Sequence, residues 1–123
     1  MTPEHDKKLC DDFGEIFRDR NGDMRTTAMC WGFDVDDGWF NLIYDLCVEL
    51  NKCDPIPVAT QVKEKYGTLG FYIYNGSDRA YDLIEIAEHK SGKTCETCGK
   101  PGLTRGEMWF KTLCDEHATE YNG

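Results

Sequence analysis

IPVATQVKEKYGTLGFYIYN, residues 56–75, is the stretch that decides the fold class. Ile56, Val58, Thr60, Val62 and Glu64 share one parity, and Leu69, Phe71 and Ile73 share a parity further on. Side chains alternate across a strand, so each set lines one face. The two apolar sets meet on the same face only if an even number of residues joins them. A two-residue turn at Gly67-Thr68, with glycine first, meets that condition and predicts a β-hairpin over about 56–75. It sets Val62 opposite Ile73 and Lys63 opposite Tyr72. With the apolar parity on the core, Gln61, Lys63, Lys65, Tyr72 and Tyr74 point the other way. Basic heads beside aromatic rings suit an anionic, stackable ligand such as a nucleotide signal. Lys63, Lys65, Tyr72 and Tyr74 are therefore candidate ligand-binding residues. The competing reading is a solvated sheet face with lysine stems packed on tyrosine rings.

Helices are predicted on both sides of the hairpin. In PEHDKKLCDDFGEIFRDR, residues 3–20, the side chains of Leu9, Phe13, Ile16 and Phe17 fall on one helical stripe. Pro3, Glu4 and Asp6 suit a first turn, and Asn21-Gly22 ends the helix. A second helix over about 38–52 carries Trp39, Leu42, Ile43, Leu46, Cys47 and Leu50 at steps of three and four, with Asp36 or Asp37 as its cap. Pro55 and Pro57 then favour extended chain. A third helix over about 78–90 starts from Ser77 and turns Ala80, Leu83, Ile84 and Ala87 inward. Residues 21–36 read as a loop. The order of elements indicates an α+β protein: an acidic domain over 1–92, followed by a small module over 93–123.

That module contains TCETCGKPGLTRGEMWFKTLCDEHA, residues 94–118. Cys95, Cys98, Cys114 and His117 have the spacing C-x2-C-x15-C-x2-H. Thiolate and imidazole are the ligands of tetrahedral zinc. The arrangement resembles treble-clef and zinc-ribbon modules. Pro101-Gly102 opens a second hairpin with Met108, Trp109 and Phe110 in its return strand, and Cys114 and His117 share the first turn of a terminal helix. All four zinc positions are filled by protein, whereas a catalytic zinc keeps one for water or substrate. One structural zinc ion is expected, worth an apparent stabilisation of about 10–16 kcal/mol. Three thiolates on a divalent ion leave the site net negative, with no attraction for phosphate.

The chain of 123 residues carries a net charge of −9. Residues 1–55 hold 13 acidic and 6 basic side chains, whereas 56–90 and 91–123 each hold 5 and 4. An acidic half repels phosphate, which disfavours nucleic acid and suits a basic protein partner. The longest apolar runs fall far short of the roughly 20 residues that span a bilayer, so no membrane segment is expected. MTPEHDKK has no apolar core of a signal peptide, and an odd count of seven cysteines argues for a reducing cytoplasm. Cys10, Cys30, Cys47 and Cys53 read as small apolar residues. Asp19–Asp23 fails as a calcium loop, because Met24 and Cys30 stand where glycine and glutamate are needed. An HNH-type nuclease needs paired histidines, and only His89 remains near the module. No catalytic activity is expected.

GWFNLI at 38–43, QVKEKYGTLGFY at 61–72, TCETCGKPG at 94–102 and TLCDEH at 112–117 resemble a family of small uncharacterised bacteriophage and prophage proteins. The resemblance covers roughly residues 30–118, and the family has arginine at the position of Gly70. It implies a phage or bacterial origin, a cytoplasmic setting in the host cell, and an accessory role played by binding, which includes inhibition of a host defence protein. The expectation is a non-catalytic zinc protein that binds a host protein through its acidic half or an aromatic patch near Trp31, Phe33 and Trp39. Capture of an anionic nucleotide on the Lys/Tyr hairpin face is the second reading, and a zinc-ribbon nucleic-acid binder the third.

Overall fold

The structure is a computed structural model and describes residues 1–22 and 27–119. In chain order it has α1 (Pro3–Asp12), β1 (Phe33–Asp34), α2 (Phe40–Leu50), β2 (Val58–Lys65), β3 (Thr68–Tyr74), α3 (Asp78–Ser91), β4 (Leu103–Arg105), β5 (Lys111–Leu113) and α4 (Asp115–Ala118). The α+β class is as expected. Strands β1, β2 and β3 form one sheet in that order, with β1 parallel and β3 antiparallel to β2. Strands β4 and β5 form a separate antiparallel pair. No described helix is long and apolar enough to cross a membrane.

The hairpin turns one residue earlier than the parity argument places it. Lys65 pairs with Thr68, so the turn is Tyr66-Gly67, with φ of 53° and 89°. Two positive φ values make a type I′ turn, whose twist matches that of the strands. The register becomes Val62 opposite Phe71 and Lys63 opposite Gly70, rather than Ile73 and Tyr72. Two residues still form the turn, so the inward parity of Leu69 and Phe71 survives. The long parity of the first strand does not. A bulge between Ala59 and Gln61 leaves Thr60 without an opposite residue, and Ala59, of the other parity, faces Ile73.

Helix α1 ends eight residues before the expected stop. Phe13 leaves helical geometry at φ −129° and ψ 53°, and the chain runs in turns to Asn21. Leu9, Phe13, Ile16 and Phe17 are buried all the same. A tertiary bond competes with the helix here: the Ile16 carbonyl accepts from the Ala59 N–H at 2.8 Å. Helix α2 begins at Phe40 after a 3-10 turn and has no side-chain cap. Asp37 is engaged elsewhere, accepting from the Thr2 N–H at 2.9 Å and contacting His5 Nδ1 at 2.8 Å. Helix α3 starts as expected, with the Ser77 hydroxyl accepting from the Ala80 N–H.

The expected loop over 21–36 contains strand β1, and its residues 23–26 lie outside the described ones. The expected aromatic patch does not form. Trp39 is fully buried and Phe33 nearly so, which leaves Trp31 exposed by itself.

Leu9, Ile16, Met29, Trp39, Ile43, Leu50 and Val62 form the centre of the core, each with at most 0% exposure. Burying a side chain of that size stabilises the fold by about 1.5–3 kcal/mol. Phe17 meets Phe33 and Phe71 edge-on, at centroid distances of 4.9 and 6.2 Å. The C-terminal module is fastened to this core through its backbone. The Gly38 N–H donates to the Glu96 carbonyl at 2.7 Å, and the Trp39 indole N–H to the Thr94 carbonyl at 2.8 Å. The Thr112 hydroxyl donates to the Gly67 carbonyl at 2.6 Å. A Cβ on Gly38 would lie 2.3 Å from the Cys95 oxygen and 2.4 Å from the Glu96 oxygen. Only glycine fits there. Gly38→Ala should therefore lower stability by about 1–3 kcal/mol in urea unfolding of the zinc-supplied protein. An unchanged midpoint would show that this contact has slack.

Candidate metal centre

Cys95 and Cys98 sit on a tight knuckle. Within it the Cys95 N–H donates to the Lys100 carbonyl at 2.7 Å and the Gly99 N–H to the Cys95 carbonyl at 2.9 Å. Cys114 occupies the cap position of α4, and His117 follows within its single turn. The four ligand atoms lie within 4.8 Å of one another. A zinc tetrahedron with Zn–S of about 2.3 Å and Zn–N of about 2.0–2.1 Å has edges of about 3.8 Å between sulfurs and about 3.6 Å from sulfur to nitrogen. Cys98 Sγ and Cys114 Sγ are 3.8 Å apart, and Cys95 Sγ and His117 Nδ1 are 3.6 Å apart. Cys114 Sγ to His117 Nδ1 is tighter, at 3.2 Å. All seven cysteines are free thiols. The arrangement is consistent with a single zinc site. Among the described residues it is the one such group of three or more His, Cys, Asp or Glu side chains.

The backbone prepares these thiols for a cation. Burial pushes the Cys95 thiol up, but the N–H groups of Cys114, Cys98 and Thr97 aim at its sulfur and bring it down to about 6. The His117 N–H likewise lowers Cys114, against its burial. For Cys98 the Lys100 N–H acts downward, but burial and the sulfurs of Cys95 and Cys114 hold the thiol above its ordinary value. Bonds to Cys114 and Cys95 raise His117. Thiolate is the form that binds metal.

The strands beneath the site hold it in place. The Arg105 Nε donates to the Leu113 carbonyl at 3.1 Å, and its guanidinium reaches Asp115 at 2.8 Å. Glu96, between two ligands, is almost wholly buried. Its Oε2 accepts from the Asp36 N–H at 3.1 Å, while Oε1 has no hydrogen-bond partner and lies 3.7 Å from Lys111 Nζ. The return strand of the second hairpin is Lys111–Leu113, not Met108–Phe110 as expected. Met108, Trp109 and Phe110 instead lie in the connecting loop with their side chains exposed.

The hairpin candidates are divided by the structure. Lys65 Nζ stands 5.8 Å from the Tyr72 ring centroid. The Tyr72 ring covers Gly70, where a Cβ would meet it at 3.1 Å. The Tyr74 hydroxyl points to Asp19 at 3.4 Å, next to an acid rather than a cation. Lys63 and Lys65 also line a cleft together with Tyr66 and the 108–111 loop, to which Tyr72 and Tyr74 do not contribute. Sequence reasoning missed Tyr66, Trp109, Phe110 and Lys111 as neighbours of these lysines, because no local period joins a hairpin tip to a loop some 40 residues later.

Comparison with family models, with curated proteins and with solved structures returns no match to this chain. The reading of the site therefore rests on its geometry.

Native mass spectrometry should show one zinc ion per chain, released by a strong chelator. Alkylation provides a second check. Burial and then the neighbouring Asp6 push the Cys10 thiol up to about 11, and burial raises Cys47 well above its ordinary range. Iodoacetamide at pH 8 should leave Cys10 and Cys47 unmodified in the folded protein, and should reach Cys98 only after the chelator is added. Modification of Cys98 at an equal rate with and without chelator would refute metal ligation.

Proposed function

We propose that this chain is a non-catalytic accessory protein that works by binding a host protein, with one structural zinc ion on Cys95, Cys98, Cys114 and His117 shaping its C-terminal module. Four protein ligands leave the ion no open position for water or substrate, which supports a structural role. The order of knuckle, β4–β5 pair and short helix α4 favours a treble clef over a ribbon. The phage or bacterial cytoplasmic setting comes from the sequence resemblance, and with it the role of inhibiting a defence protein by covering its surface.

The observation that carries the binding reading is an open groove of ≈ 670 Å³ between α2 and α3. Leu42, Val48, Leu83 and Ile86 make it apolar, and Ile86 is 52% exposed. Asp45 and Glu49 stand on the α2 bank, and Lys90 and Lys93 at the end of the α3 bank. A groove of this kind suits an amphipathic helix laid in by its apolar face. Its charged banks ask for a basic flank against α2 and an acidic one against Lys90 and Lys93. The acidic residues 1–55 would attract a basic partner from a distance.

A photo-crosslinking residue at Val48 should capture one partner from host lysate, and the purified partner should then bind in a titration. Ile86→Glu should weaken that binding at least about tenfold, since it places a charge in the apolar floor. Trp31→Ala, on another surface, should leave it unchanged. Equal affinity of wild type and Ile86→Glu would remove the groove as the binding surface.

A further inference from the structure

We propose that the cleft between the hairpin tip and the loop of the zinc module is a nucleotide site, in which Trp109 and Tyr66 offer faces for the base and Lys63, Lys65 and Lys111 take the phosphate. The site shares no residue with the α2/α3 groove. It is a cleft of ≈ 430 Å³, lined by residues 63–66 on one side and 108–111 on the other. Small-ligand sites span about 300–1,000 Å³.

Its side chains match a phosphorylated, planar ligand. Tyr66 and Trp109 are each 74% exposed, and Phe110 37%. Aromatic faces of this kind stack on bases without regard to sequence. Three lysines surround them, in a chain whose net charge is −9. Among the described residues the one acid of the lining is Glu64, which is already engaged, its Oε1 accepting from the Gly67 N–H at 3.0 Å. Lys111 Nζ lies 3.8 Å from Asp36 and 3.7 Å from Glu96. Both are ion pairs at longer than hydrogen-bond distance, so a phosphate would share Lys111 with these two carboxylates rather than meet it unpaired.

The backbone at Tyr66 is an independent observation. Tyr66 holds a φ of 53°, at a turn position that favours asparagine, aspartate or glycine. A bulky aromatic there is strained, and its exposed ring recovers nothing by burial. Strain of this kind gathers where a side chain must be presented to a ligand. A polynucleotide fits less well than a free nucleotide, because the acidic remainder of the chain repels a long polyanion.

The test is a titration of the zinc-loaded full chain, followed by tryptophan fluorescence and calorimetry. The probes are GMP, ATP, a cyclic dinucleotide and an eight-residue oligothymidylate. Trp31→Ala serves as the parent protein, which removes the other exposed indole. We expect saturable quenching by at least one free nucleotide, weakened by salt. Trp109→Ala should abolish the quenching and weaken calorimetric binding at least tenfold, and Lys65→Ala and Lys111→Ala should each weaken it several-fold. Tyr66→Asn should bind at least tenfold more weakly while melting at the same temperature or higher, because asparagine suits the turn. The proposal is overturned if no free nucleotide binds saturably. Binding of the oligonucleotide alone, or affinity unchanged in Trp109→Ala and Tyr66→Asn, overturns it equally.

Discussion

The backbone of the Cys95–Glu96 knuckle occupies the space where a side chain on Gly38 would be, and much of the structure follows from that contact. The Gly38 N–H bonds to the Glu96 carbonyl, and the buried Trp39 indole bonds to Thr94. Glu96 turns its carboxylate back onto the Asp36 N–H. The start of α2 and the knuckle that carries Cys95 and Cys98 are thus joined at backbone distance. The knuckle and the Trp39 corner of the core therefore close against one another.

This coupling bears on what an ion at the Cys/His cluster would do. The module has a small buried cluster of its own, Cys95, Leu113 and Cys114. A cluster of that size contributes little hydrophobic stabilisation beside the roughly 10–16 kcal/mol apparent for a finger-like zinc site. The pattern of N–H groups around Cys95 and Cys114 lowers both thiols before any ion arrives. The consequence reaches beyond the module, because β5 bonds to the turn of the first hairpin through Thr112 and Gly67. The same anchoring sets the 108–111 loop beside the hairpin tip, where aromatic and basic side chains meet.

Much of the fold was readable from local pattern. Helix α3, its Ser77 cap and the two-strand hairpin emerged from periodicity and cap chemistry, as did the grouping of Cys95, Cys98, Cys114 and His117. The differences lie where tertiary contacts or local irregularities intervene. Helix α1 stopped early because Ile16 found a sheet partner in Ala59. Asp37 left its cap position for Thr2 and His5. The turn moved to Tyr66-Gly67, against the usual rule for a bulky residue. Parity failed at a bulge that no residue of β2 announces. For α1 and Asp37 a long-range hydrogen bond overrode a local preference of about 1 kcal/mol or less.

By itself the sequence determined the α+β class, the grouping of Cys95, Cys98, Cys114 and His117, and the inward parity of Leu69 and Phe71, because spacing along the chain dictates which side chains share a face or a turn. Only the tertiary structure decided the register of the hairpin and the fate of the aromatic residues. Trp39 and Phe33 went into the core, whereas Tyr66, Trp109 and Phe110 were left in solvent beside three lysines. Hydrophobicity was the same guide in both cases and could not separate them. What separated them was tertiary placement: Phe33 packs on Phe17 and Trp39 lies where the C-terminal module docks on Gly38, whereas Tyr66, Trp109 and Phe110 sit at a hairpin tip and a connecting loop.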